Sequence, residues 1–244
     1  MQNNNFSDTD IFGQALMDYF QGKYEQDIIT HISLDETDVL PLPYLFRSYD
    51  QMPVLEQLAL RLSKGKVLDV GCGAGSHSLY LQDNGLEVTA LDISPGAINV
   101  CRQRGIYNAV EGDIRSYNDS KFNTILLLMH GIGMAETLDN LEAFLLKMRS
   151  LLHPGGQILL DSSDIIYMFD QDDDGGYWIP GNVAYYGEVQ FITEYKGKKS
   201  KPFPWLYLDY QNLKTAAEKT NFAVELVRDG GHNDYLARLS IDLQ

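Results

Sequence analysis

Cysteine is scarce in this chain: Cys72 and Cys101 are the two cysteines among 244 residues. A disulfide framework is therefore excluded, and a reducing compartment is the simplest setting. Basic residues are also few, with 19 Lys and Arg against 34 Asp and Glu, a formal charge of -15. A net negative field repels phosphate backbones, which argues against nucleic acid as a partner. Long apolar runs are missing: the longest, Ile125 to Met129, is far below the roughly 20 residues of a membrane helix. The opening MQNNNFSDTD has neither the basic start nor the apolar centre of a signal peptide. The expectation is a cytoplasmic protein with no membrane association.

What is present reads as one sizeable core rather than two full domains. The first residues are polar and expected to be disordered. Apolar residues from Ile11 to Tyr24 fall at helical spacing, and the stretch LDETDVLPLPYLFRSYD reads as a connection. A helix is predicted in MPVLEQLALRLSKG, with Pro53 in its first turn and Gly65 at its end. Short β-type runs then alternate with helices. The strands are Val67–Val70, Val88–Leu91, Tyr107–Val110, Asn123–Met129 and Gln157–Asp161; the helices are Ser76–Asn84, Pro95–Arg104 and Leu138–Leu152. Such alternation, with buried non-alternating strands, implies a parallel sheet covered on both faces, an α/β doubly wound architecture. After Ser163 the pattern changes. An acidic, aromatic loop leads into two antiparallel strands around KGKKSK, then a helix capped by Asp209 and a terminal hairpin.

The stretch GKVLDVGCGAGSHSLYLQDNGLEVTALDIS, from Gly65 to Ser94, carries the chemistry. Asp69, Gly71, Cys72, Gly73 and Gly75 lie at the end of the first predicted strand of the sheet, with a helix after them. In an open α/β sheet ligands sit beyond the carboxyl ends of strands, and glycines let the backbone approach them. Asp92, ending the next strand about twenty residues on, is placed for two ribose hydroxyls. An adenosine-containing ligand follows. The spacing is G-x-G-x-G rather than the G-x-G-x-x-G of a pyrophosphate site.

Here the chain resembles the class I S-adenosylmethionine-dependent methyltransferases, over roughly Lys66 to Ser162. Their first motif is an acid followed by G-x-G-x-G, and ALDIS, EGDI and LLHPGGQILL match later motifs in order. The resemblance implies a mostly parallel seven-stranded sheet with an antiparallel last strand, an N-terminal helical cap over residues 1–52, and a methyltransferase domain over 53–244 with an antiparallel insertion at about 164–208. It implies S-adenosylmethionine as cofactor, held by Asp69 and the glycine loop, by Asp92 and Ile93 at the ribose, and by Asp113 and Ile114 at the adenine. Tyr44 and Arg47 follow the cap helix, and an arginine there can hold the cofactor carboxylate by a bidentate pair. The alternative for Arg47 is a surface position on a connecting loop.

His130, closing the fourth strand in LLLMHGIGM, is the candidate base and also a candidate wall of the cofactor pocket. Tyr44 is a second candidate base. Cys72 has no His or Asn partner in the sequence to make it a nucleophile, so its thiol reads as packing. His31, His153 and His232 read as turn or surface positions, and QDDDGG as a solvated loop rather than a metal site. Tyr177, Trp178, Tyr185, Tyr186, Trp205 and Tyr207 read either as core of the insertion or as an aromatic acceptor pocket, the second preferred. The function expected is methyl transfer to a small-molecule acceptor through O or N. The rivals are a non-catalytic S-adenosylmethionine-binding or regulatory protein, a nicotinamide-dependent oxidoreductase, and an RNA or protein methyltransferase resting on KGKKSK alone.

Overall fold

The structure is a computed structural model that describes residues 10–172, 174–179, 181 and 183–242. The expected disorder of the first residues and the reading of Asp173 within QDDDGG fall outside the described residues, except for Asp10. By contacts the chain divides into two compact units: residues 10–52, Lys66–Tyr117 and Phe191–Phe203 in the first, and Pro53–Gly65, Asn118–Gln190 and residues 204–242 in the second.

In chain order the elements are α1 (Ile11–Phe20), β1 (Ile28–Ile32), β2 (Thr37–Leu40), α2 (Leu42–Leu45), α3 (Val54–Leu62), β3 (Lys66–Val70), α4 (Ser76–Asp83), β4 (Glu87–Asp92), α5 (Pro95–Gln103), β5 (Ala109–Glu111), β6 (Phe122–Leu127), α6 (Leu138–Ser150), β7 (Leu152–Ser163), β8 (Glu188–Tyr195), β9 (Lys198–Lys199), β10 (Phe203–Leu206), α7 (Tyr210–Lys219), β11 (Ala223–Asp229) and β12 (Asp234–Ser240). The main sheet has the order β11-β12-β7-β6-β3-β4-β5. The pairs β3–β4, β4–β5 and β6–β7 are parallel, and β12 runs antiparallel to both β7 and β11. This is the doubly wound, mostly parallel seven-stranded sheet expected from the sequence.

The local reasons are those of the residues. In β3 and β6 almost every side chain is buried, as both-face coverage of a parallel strand requires. Four of the described α-helices start on side-chain caps: Asp10 accepts from the Gly13 N–H, Ser94 from the Ala97 N–H ahead of Pro95, Thr137 from the Asn140 N–H, and Asp209 from the Asn212 N–H. Helix α1 stops at Phe20 rather than Tyr24 because Gly22 turns left-handed at φ +73°. Strand β5 starts at Ala109, two residues later than expected, and Tyr107 is left exposed.

A second sheet has the order β10-β8-β1-β2, with β9 pairing β8. The insertion strands were legible, but the stretch read as a connection holds β2, and β1 precedes it. Ile29 pairs with Glu194 and Ile32 with Phe191, so the partner of β1 is far away in sequence. His31, read as a turn or surface residue, is in β1, where its Nε2 lies 2.9 Å from Glu194 Oε2 and its Nδ1 3.1 Å from Thr37 Oγ1. Among the described residues no helix is long and apolar enough to cross a membrane.

Candidate functional site

The first unit contains the glycine loop and both acids that follow it. Gly71, Gly73 and Gly75 have φ of +71°, +53° and +80°, a region where a side chain is strained. Gly75 also has no room for a Cβ, since one would stand 2.3 Å from Ile106 Cδ1 and 2.9 Å from Cys101 Sγ. Gly73 differs: the closest atom to its Cβ position is Phe12 Cε1 at 3.9 Å. Space there is open above the backbone, as a loop that receives a ligand requires.

Asp69 is buried, and its Oδ2 accepts a 2.6 Å bond from the Ser78 hydroxyl of α4. Asp69 thereby fixes the strand end to the helix that follows the loop. The Cys72 side chain packs among Ala90, Ile98, Cys101, Ile106 and Ala109. Its thiol lies 3.7 Å from Cys101 Sγ, and the contact with Cys101, followed by burial, pushes its pKa well up. That is a packed thiol, consistent with the absence of a nucleophilic partner.

At the end of β4, Asp92 accepts the Gly73 N–H on Oδ2 at 2.9 Å and the Ser94 N–H on Oδ1 at 2.8 Å. These bonds hold the carboxylate against the loop and leave acceptor capacity on both oxygens. Burial pushes the Asp92 carboxyl up to about 6, against the two N–H donors, with Asp10 and Asp69 adding to the rise. Ile93, beside it, is 72% exposed and offers a bare apolar face. Asp113 takes the Arg115 N–H on Oδ1 at 2.9 Å, and Ile114 is buried beneath it.

The segment holding Tyr44 and Arg47 lies against the same loop. The Leu45 carbonyl accepts the Ser76 hydroxyl at 2.9 Å. Arg104 donates to the Ala74 carbonyl and stands 5.0 Å from the centre of the Phe46 ring. Arg47 is not the exposed loop residue of the alternative reading: it is buried, stacked 3.7 Å from the Tyr44 ring centre, and donates to the Tyr44 carbonyl. Open space at Gly73, two acceptor oxygens on Asp92 and an exposed apolar face at Ile93 fit an adenosine with a charged tail.

His130 belongs to the second unit, three residues after the end of β6. Met129 and His130 are both left-handed, at φ +55° and +61°, a strain of roughly 1–3 kcal/mol for each such residue. The His130 N–H donates to Asp161 Oδ2 at 3.2 Å, and its Nδ1 stands 3.8 Å from the same oxygen. The Tyr207 ring lies 5.2 Å from the imidazole, centre to centre. A Cβ at Gly133 would stand 2.1 Å from Trp205 Nε1, so the indole occupies that glycine's side-chain space. Tyr185 and Tyr186 are pinned instead, their hydroxyls donating to Asp209 at 2.6 Å and Asp164 at 2.8 Å; burial is the main cause of their raised pKa values. Trp178 is 75% exposed. The six aromatics are therefore not one pocket lining: Tyr207 adjoins His130, and Tyr185 and Tyr186 brace the fold.

A crystal structure of an S-adenosylmethionine-dependent methyltransferase from Bacteroides fragilis, in complex with S-adenosyl-L-homocysteine, is 40% identical, covers 97% of both chains and superimposes with a TM-score of 0.89. The chain belongs to the S-adenosylmethionine-dependent methyltransferases. The family profile described as "Methyltransferase domain" matches residues 68–160. Similarity over shorter stretches reaches the ubiquinone biosynthesis O-methyltransferase of Xanthomonas euvesicatoria pv. vesicatoria (32% identical, covering 42% of this chain and 45% of that one). It also reaches a cypemycin N-terminal methyltransferase from Streptomyces sp (32% identical, covering 40% and 42%). The chain thus spans less than half the length of these curated relatives. This methyltransferase uses S-adenosylmethionine, and the oxidoreductase reading gives way.

Two residues near these sites were not singled out from sequence. Asp161 closes the strand predicted over Gln157–Asp161, a signal that could have found it, although β7 itself runs on to Ser163. Asp10 reads only as a helix cap.

The Asp92 titration gives a testable pH dependence. If Asp92 is the ribose acceptor, the hydroxyls would donate to its ionised carboxylate, so binding is expected to be strongest above the free protein's value of about 6 and to be lost as pH falls through it. Calorimetric affinity for S-adenosylhomocysteine is expected to be flat from pH 7 to 8 and to drop by up to about tenfold per pH unit below 6. A flat profile down to pH 5 would contradict the assignment.

Proposed function

We propose that this methyltransferase moves the methyl group of S-adenosylmethionine to a small-molecule acceptor, with His130 taking the acceptor proton. The observation that carries the reading is the strained Met129–His130 turn held against the buried Asp161 carboxylate. A left-handed histidine persists only where its surroundings over-determine it, and such strain clusters at working sites.

The cofactor supplies a methyl group already activated on a sulfonium. The chain's residues hold, orient and receive a proton. Asp92, with Ile93 beside it, would take the ribose hydroxyls, and Asp113 with Ile114 would hold the adenine, Asp113 accepting from its amino group. Arg47, its plane set by Tyr44, takes the methionine carboxylate. Asp69 and the glycines shape the loop. Asp161 faces Nδ1 of His130, which leaves Nε2 for an acceptor hydroxyl or protonated amine.

The acceptor atom is left as O or N, because the two curated relatives named above carry an O-methyl and an N-terminal description. The absence of a nucleic-acid role is proposed from the charge of -15. The reading is tested by supplying S-adenosylmethionine with panels of small phenols, alcohols and amines and measuring S-adenosylhomocysteine formed. Turnover with at least one class, lost in His130→Asn, is expected. Turnover that His130→Asn leaves intact would remove His130 from the mechanism.

A further inference from the structure

Just ahead of α1, outside the glycine motif, one carboxylate gathers three donors. Asp10 Oδ1 accepts the Gly13 N–H at 2.9 Å, Oδ2 accepts the Gly96 N–H at 2.8 Å, and the Ser94 hydroxyl lies 2.9 Å from both oxygens. Gly13 is in the first turn of α1 and Gly96 in the first turn of α5, so Asp10 caps two helices whose positive ends converge on it. A helix cap needs one donor, in its own helix. The other two come from residues more than 80 positions away.

The junction is built for close approach. A Cβ on Gly96 would stand 2.6 Å from the backbone of Gly13, and one on Gly13 would stand 2.2 Å from Asp10 Oδ2. A side chain on Gly96 would have to move the α1 backbone, and one on Gly13 would displace the Asp10 carboxylate and the Ser94 hydroxyl. Two residues after Asp10, Phe12 places its ring at the edge of the open space over Gly73. Ser94 links this junction to the cofactor residues: its hydroxyl donates to Asp10, while its N–H donates to Asp92 Oδ1. The carboxylate is kept there although Asp92 lies close enough for the two charges to repel.

We propose that Asp10 is a positioning residue for cofactor binding: it pins α1 across the glycine loop and, through Ser94, fixes the Asp92 carboxylate for the ribose. The inference rests on the assignment of Asp92 made above. The groups facing Asp92 are Asp10 from the α1 side, Asp69 from β3 and the neutral Cys72 thiol from the loop. Removing the Asp10 charge therefore removes one of the two nearby anions and makes Asp92 easier to ionise.

The experiment is calorimetry with S-adenosylhomocysteine from pH 5 to 8 on wild type, Asp10→Ala, Asp10→Asn, Gly96→Ala and Asp92→Ala, with melting curves alongside. Asp10→Ala is expected to weaken binding about tenfold or more at pH 7.5. Gly96→Ala, which keeps every charge but wedges α1 away, is expected to weaken it similarly. Asp10→Asn keeps an acceptor oxygen, so it should weaken binding less and move the acid limb of the profile to lower pH. If Asp10→Ala does not fold, Asp10→Asn and Gly96→Ala carry the test. Binding within twofold of wild type in the folded Asp10 variants and Gly96→Ala, with Asp92→Ala weakened, would overturn the role of Asp10 alone. Weakened binding in Asp10→Asn with an unmoved acid limb would overturn the charge coupling between Asp10 and Asp92. Undiminished binding in Asp92→Ala would overturn the ribose assignment, and the inference with it.

Discussion

Replacing His130 by Asn is expected to lower turnover at saturating cofactor and acceptor by about 100- to 10,000-fold, the range a general base supplies. Affinity for S-adenosylhomocysteine should stay within a few-fold, because the cofactor contacts proposed here come from the glycine loop, Asp92, Asp113 and Arg47. Asn tolerates the left-handed backbone that His130 adopts at φ +61°, so the substitution removes the imidazole with little added strain. Steady-state kinetics with an identified acceptor and calorimetry with S-adenosylhomocysteine separate the two effects. A fall in affinity with unchanged saturated turnover would make His130 a pocket wall.

Asp92→Ala is expected to lower S-adenosylhomocysteine affinity about 30- to 150-fold, which corresponds to roughly 2–3 kcal/mol for losing a charged acceptor of two hydroxyls. The loop should survive. Asp92 holds Gly73 and Ser94 through single N–H bonds, while Gly71 and Cys72 are held by the Leu91 carbonyl and Gly75 by that of Cys72. A melting temperature within a few degrees of wild type would confirm that the loss is one of recognition. An unchanged dissociation constant would show that the ribose is held elsewhere.

The glycine loop between β3 and α4, which carries the proposed cofactor contacts, was readable from sequence because its determinants are local. An acid, three alternate glycines and a second acid at a strand end follow one another within a single β–α–β passage, where spacing alone sets geometry. The same locality made the caps at Ser94 and Asp209 readable. Asp10 was not readable in that way. As a residue before an apolar helix it looks like any N-cap, and only folding brings Ser94 and Gly96 to it. The hairpin of β1 and β2 was missed for a related reason. Its short, half-polar strands carry little signal of their own, and β1 is completed by β8, more than 150 residues later. Around His130 the strand was legible but its end was not, since β6 stops at Leu127, and the pairing of His130 with Asp161 required the register of two neighbouring strands. In the aromatic insertion residue type does not report burial: Tyr185 is buried against Asp209, whereas Trp178 is exposed.

The most direct measurement of the central claim is the destination of the methyl group. S-adenosylmethionine labelled on its methyl group would be incubated with the protein and a cell extract, and the products separated by size into small molecules, protein and nucleic acid. The account predicts label in the small-molecule fraction, reduced to background by either Asp92→Ala at limiting cofactor or His130→Asn. Label recovered in protein or nucleic acid, with none in small molecules, would contradict it.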